Sequence, residues 1–148
     1  MKYLQGEKVM SKQFSGHFNR TAGTKVWNTA EVWNHVHPTQ GNYAGTYLPK
    51  SFNVDTPQGA MWTHNNATKH MHETILSIKD SPVLKNRDPK LYTQFILYDY
   101  WKSLGKAVKS GIVYNEMIYA GRWEFMFAKP RSKDSNPVIK HAKFTGLK

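Results

Sequence analysis

The sequence predicts an α+β domain in which helices come first and pack on a C-terminal antiparallel β-sheet. Three observations predict it. Apolar residues at helical spacing are confined to the middle of the chain, strict alternation of aromatic and polar residues appears only near its end, and 148 residues suffice for one core and not for two. An apolar fraction of 39% is enough to build that core.

Taken in order, residues 1–24 are polar and aperiodic, with Gly16 and Gly23 interrupting any pattern, and read as a loosely ordered leading segment. Residues 25–148 form the single folded domain. Gly41 to Ser51 has loop chemistry. Phe52-Asn53-Val54 and Ala60-Met61-Trp62 flank the turn Thr56-Pro57-Gln58-Gly59 and predict a hairpin. Asn65 or Asn66 then caps a helix whose Ala67, Met71, Ile75 and Ile78 recur at three and four. In the next helix Asp88 is the N-cap, Pro89 takes the first position and Gly111 closes the pattern. Leu97, Trp101, Leu104 and Val108 stripe one side of it. Leu91, Phe95, Ile96 and Tyr98 spread apolar surface around its first half, and Lys102, Lys106 and Lys109 give its second half a basic face.

The sheet follows. Met117-Ile118-Tyr119, Arg122 to Phe127 and Val138 to Phe144 read as three strands of a meander. If Trp123, Phe125 and Phe127 face the core with Val138, Ala142 and Phe144, then Arg122, Glu124, His141 and Lys143 emerge together on the opposite face. Lys140 does not fit the alternation.

Twenty-one basic residues against ten acidic ones give a formal charge of +11, and the stretch from residue 101 onward carries +7 of it. Such an imbalance predicts a polyanionic partner, because positive potential attracts phosphate and binding releases counterions. Twenty aromatic residues, five of them Trp, add surfaces on which bases can stack. The absence of cysteine excludes disulfides, thiolate metal sites and thiol nucleophiles. No apolar run is long enough for insertion into a membrane. Nucleotide-binding glycine loops and a Ser nucleophile elbow do not occur, so no cofactor is implied.

Metal-free RNA cleavage needs a base for the 2′-OH proton, an acid for the leaving 5′-oxygen and cations around the phosphorane. Glu124 and His141 can supply the first two, with Arg122 and Lys143 beside them. The same four residues also make an ordinary solvated cross-strand cluster. A second constellation places His64 at the end of the hairpin and Lys69 and His70 on the first helical turns, near a helix N-terminus that favours anions. His70 and His72 diverge by about 200° on a helix and make a poor chelating pair. His35 and His37 share a strand face, but no carboxylate near them in sequence completes a zinc set, and no metal site is expected. Lys50, Ser51, Trp62, Arg122, Lys129, Arg131 and Lys143 are the candidate RNA-binding residues.

The segments Gly41-Asn42-Tyr43-Ala44-Gly45-Thr46 with Pro49-Lys50-Ser51-Phe52, Trp62-x-His64-x-Asn66-Ala67-Thr68-Lys69-His70-Met71, and Gly121-Arg122-Trp123-Glu124-Phe125-x-Phe127 with Pro130-Arg131 and Pro137-Val138-Ile139-x-His141-Ala142 resemble the C-terminal toxin tips of bacterial polymorphic toxins of the contact-dependent inhibition and Rhs type. The resemblance covers about residues 41–144. Helices followed by a C-terminal antiparallel sheet are similar to the barnase/EndoU/colicin/RelE class of ribonucleases. The resemblance implies a secreted or cell-surface effector tip delivered to the cytoplasm of a neighbouring cell, and a cognate immunity protein, expected to be acidic. The leading expectation is a metal-independent ribonuclease acting on tRNA or rRNA, with His70, Lys69, Glu124, His141 and His64 as candidate catalytic residues. Two alternatives stay open. The order hairpin, His64, helix also fits a ββα-type metal-dependent DNase, although only Asp55 and Glu73 are acidic nearby, and the basic aromatic surface also fits an RNA-binding module without catalysis.

Overall fold

A computed structural model describes residues 29–80 and 88–146. The leading segment 1–24 lies outside the described residues. The fold is α+β, with two α-helices and a six-stranded mixed sheet among the described residues. A 3-10 turn at Thr29–Asn34 leads into β1 (Val36–Pro38), followed by the hairpin β2 (Phe52–Thr56) and β3 (Gly59–Thr63). Two helices come next, α1 (Asn65–Lys79) and α2 (Pro89–Val108), and then the meander β4 (Met117–Ala120), β5 (Trp123–Ala128) and β6 (Val138–Phe144).

The expected C-terminal antiparallel sheet is corrected in one respect. The hairpin does not stand apart from the meander: the strand order is β1-β2-β3-β6-β5-β4, and β3 joins β6 in parallel. That pairing is non-local and leaves no periodic trace in either strand. It lasts for only two residues, Trp62 opposite Val138 and Thr63 opposite Ile139. The chain then turns into α1, which packs along the rest of β6.

Local chemistry explains most boundaries. Pro57 sits at the second position of the hairpin turn and Gly59 takes φ +94°, with Thr56 Oγ1 donating to the Gly59 carbonyl at 2.7 Å. Asp88 caps α2 by accepting from the Lys90 amide at 2.9 Å, and Pro89 needs no hydrogen-bond acceptor at its position. The cap of α1 is His64, where Asn65 or Asn66 was expected: its Nδ1 accepts from the Asn66 amide at 3.0 Å. Gly121 closes the β4–β5 turn at φ +56°, and a Cβ there would stand 2.6 Å from Ser103 Oγ, so both backbone and space require glycine.

One face of the sheet is the core. Phe52, Val54, Met61, Trp123, Phe125, Phe127, Ile139, Ala142 and Phe144 bury against Ala67, Met71, Ile75 and Ile78 of α1 and Tyr92, Phe95, Ile96, Leu97, Tyr100 and Leu104 of α2. The first half of α2 is buried nearly all round, as its spread of apolar residues predicts, though Trp101 is only half-buried. The Thr63 and Tyr100 hydroxyls share a buried hydrogen bond of 2.8 Å, and burial pushes the Tyr100 phenol above its ordinary range. Among the described residues no helix is long and apolar enough to cross a membrane.

The other face carries the polar members of the alternation. Asn53, Trp62, Glu124, Met126 and His141 are half-buried there, and Lys143 and Tyr119 are exposed. Lys140 breaks the pattern because β6 bulges at it: Met126 pairs with His141 and Phe127 with Ile139, so Lys140 has no partner on β5. Its ammonium turns to Asn115 Oδ1 at 3.2 Å. The bulge lets Ile139 and Ala142 both face the core while His141 stays on the polar side.

Candidate active site

Three of the candidate catalytic residues converge where α1 meets β6. The antiparallel register sets Glu124 opposite Lys143 and Met126 opposite His141, which makes Glu124 and His141 diagonal neighbours. Glu124 Oε2 lies 3.5 Å from His141 Nε2, and both side chains are about three-quarters or more covered, at 19% and 25% exposure. The His70 imidazole, from the second turn of α1, meets His141 edge to face with ring centroids 5.3 Å apart. Glu73, one turn along α1, reaches His70 Nδ1 at 3.4 Å. Two imidazoles thus face one another, each with a carboxylate beside it, and Lys143 is exposed next to them. Glu73 was not among the candidate site residues; its i,i+3 spacing from His70 is the signal that could have found it.

The remaining candidates lie elsewhere. His64 does not join the imidazole pair, because its ring is committed to the helix cap and packs edge-on against Trp62 at 5.3 Å. The anion site expected at this helix N-terminus is therefore partly filled by the chain's own imidazole. Burial first, and then the nearby Arg131 charge, hold the His64 pKa below its ordinary value, in agreement with an Nδ1 that accepts a hydrogen bond. Lys69 is exposed, and a residue adjacent to His70 on a helix points away from it by about 100°. His72 diverges from His70 as the helical geometry requires and stacks on Tyr43 at 4.2 Å.

Two candidate RNA-binding residues have partners within the fold. Arg122 is engaged by α2. Asp99 of α2 holds its guanidinium at 3.3 Å, while accepting at 2.9 Å from the Trp123 indole, and the guanidinium lies over the Phe144 ring. Ser51 is 1% exposed; its hydroxyl donates to Gln40 at 2.8 Å and lies 2.6 Å from Thr39 Oγ1, so it holds the loop. Lys50, Lys129, Arg131 and Lys143 are exposed. Arg131 lies over Trp62 at 5.2 Å, on the polar face of the sheet.

The carboxylate missing near His35 and His37 in sequence is supplied by strand pairing. With His37 opposite Asn53, Asp55 falls beside both imidazoles, at 3.3 Å from His35 and 3.4 Å from His37. Among the described residues, however, no three such side chains are disposed to hold a metal ion. The two acidic residues that a ββα-metal site would need around His64 are both engaged elsewhere, Asp55 with this pair and Glu73 with His70.

Neither a scan against protein-family models nor a search of curated proteins finds a match to this chain.

Proposed function

We propose that the chain is a metal-independent ribonuclease, the toxin domain of an effector delivered to a neighbouring cell, cleaving tRNA or rRNA by transesterification. The observation that carries this reading is the edge contact of His70 with His141, each flanked by a carboxylate, on the polar face of a basic domain. His141 takes the proton of the ribose 2′-OH, with Glu124 holding the ring and stabilising the imidazolium that forms. The 2′-oxygen attacks phosphorus, and the P–O5′ bond breaks. His70, the more exposed imidazole, gives its proton to the departing 5′-oxygen, leaving a 2′,3′-cyclic phosphate and a 5′-hydroxyl. Lys143 faces the growing negative charge on the phosphorane. Glu124 acts through His141 and is a positioning residue.

A domain with this activity and charge requires an acidic immunity protein in its producer, covering the same basic face and associating at a rate that falls with added salt. The test of the activity is incubation of the purified protein with total RNA and with plasmid DNA, with and without EDTA. RNA fragments in EDTA with intact DNA support the reading. EDTA-sensitive DNA cutting, or a gel shift with no cleavage, overturns it.

A further inference from the structure

A cavity of about 420 Å³ opens beside Trp62, lined among others by Thr39, Asn53, Arg131, Asp134 and Asn136. It sits on the polar side of the sheet, since Asn53 pairs with Trp62 across the hairpin and Trp62 with Val138 across the parallel step. Val138, also in its wall, is three residues before His141 on β6, about 10 Å away at the rise of a strand. One RNA strand can reach both places.

The polar groups in this wall divide into two kinds. Thr39 belongs to the frame: its hydroxyl accepts from the Trp62 indole at 3.1 Å and meets Ser51 at 2.6 Å, fixing the indole edge. Asn136 Nδ2 donates to Asn53 Oδ1 at 3.0 Å. That bond uses one donor and one acceptor of the pair, so whichever way the two amides are turned, a further amide donor and acceptor remain side by side. Asp134 adds a carboxylate. With Arg131 in the same wall the lining carries both charges, and the Asp134 carboxylate accepts hydrogen bonds from the amino group of a base. Arg131, seated over the Trp62 ring, supplies a cationic surface on which a base can stack.

We infer that this cavity is a base-recognition subsite that admits one unpaired nucleobase bearing an exocyclic amino group, adjacent to the phosphate at His70 and His141. The inference deepens the ribonuclease reading and rests on it for the meaning of the neighbouring phosphate. Uracil is disfavoured, because its N3–H donor sits between two carbonyl oxygens that the Asp134 carboxylate repels, whereas adenine, cytosine and guanine present an exocyclic amino group to it.

The test separates binding from cleavage. Adenosine, cytidine, guanosine and uridine 3′-monophosphates are titrated singly in EDTA into the whole chain, following the Asn53 and Asn136 side-chain amide and Trp62 indole NMR resonances. The first three nucleotides are expected to shift these resonances, and uridine to bind about tenfold more weakly, the size of one hydrogen bond to a charged group. Asp134→Ala, at an exposed loop position, removes most of that difference, while His141→Ala leaves it in place. Equal affinity for uridine, or no shift at these resonances with any nucleotide, overturns the subsite even if RNA is cleaved. Selective binding together with intact RNA in EDTA retains the subsite and removes the ribonuclease reading.

Discussion

The molecule holds two clusters of nearly the same composition, two imidazoles with carboxylates, and they are built to opposite ends. At the β1–β2 edge one carboxylate, Asp55, is shared by His35 and His37. His35 is stacked flat on Trp101 at 4.2 Å, and the Trp101 indole donates to the Asp55 carbonyl at 3.1 Å, so the group ties a strand edge to α2. At the α1–β6 junction each imidazole has its own carboxylate, and the two rings meet each other. The first arrangement points both imidazoles at one acceptor and leaves nothing between them. In the second, two imidazoles carried on different elements meet each other edge to face. Residue types alone do not distinguish these clusters; the direction in which each set of side chains converges does.

The largest expected effect tests that contrast directly. His70→Ala and His141→Ala each lower the RNA cleavage rate by about 10²–10⁴-fold, the usual weight of a general acid or base, with circular dichroism unchanged. His35→Ala and His37→Ala leave the rate at its wild-type value, and His35→Ala lowers the unfolding free energy by about 1 kcal/mol through the lost stacking on Trp101. A smaller effect separates the carboxylates. Glu124→Gln slows cleavage by about ten- to a hundredfold, the worth of a hydrogen bond to a charged group, and Asp55→Asn does not slow it. Initial rates on a defined RNA decide both comparisons.

The third effect is on stability and involves neither cluster. His64 has its pKa lowered in the folded chain by burial and by Arg131, so its contribution is complete above the ordinary histidine pKa and is lost as pH falls through the lowered folded value. Thermal melts of wild type and His64→Asn, which keeps a capping side chain without a titrating ring, are expected to converge or cross as the pH is lowered from 7 to 5. A constant difference between the two across that range contradicts the assignment of His64 as a neutral cap.

How much of this was legible in the sequence depended on how local each feature is. The alternation from Trp123 to Phe127, the Asp88-Pro89 start of α2 and the Pro57–Gly59 turn are each written within a few residues, and each matches the element observed. The diagonal contact of Glu124 with His141 followed from the same alternation once the aromatic faces were placed together. Lys140 was visible as a misfit, and the bulge that accommodates it was not, because a bulge is a property of the pairing and not of one strand. The parallel junction of β3 with β6, the approach of His70 to His141 and the capture of Arg122 by Asp99 all join segments far apart in the chain. Asp99 in particular reads as an ordinary polar position on a helix until the fold sets it against both Arg122 and the Trp123 indole.

In the proposed reaction the 2′-hydroxyl is the nucleophile, and His70 and His141 move its proton and that of the leaving oxygen. The most direct measurement is end-group analysis of a short RNA cleaved in EDTA, alongside the same strand with a single 2′-deoxy sugar at the cut site. Transesterification through the 2′-oxygen gives 2′,3′-cyclic phosphate and 5′-hydroxyl ends on the RNA and no cutting at the deoxy position. Cleavage at the deoxy position, or 5′-phosphate ends, contradicts it.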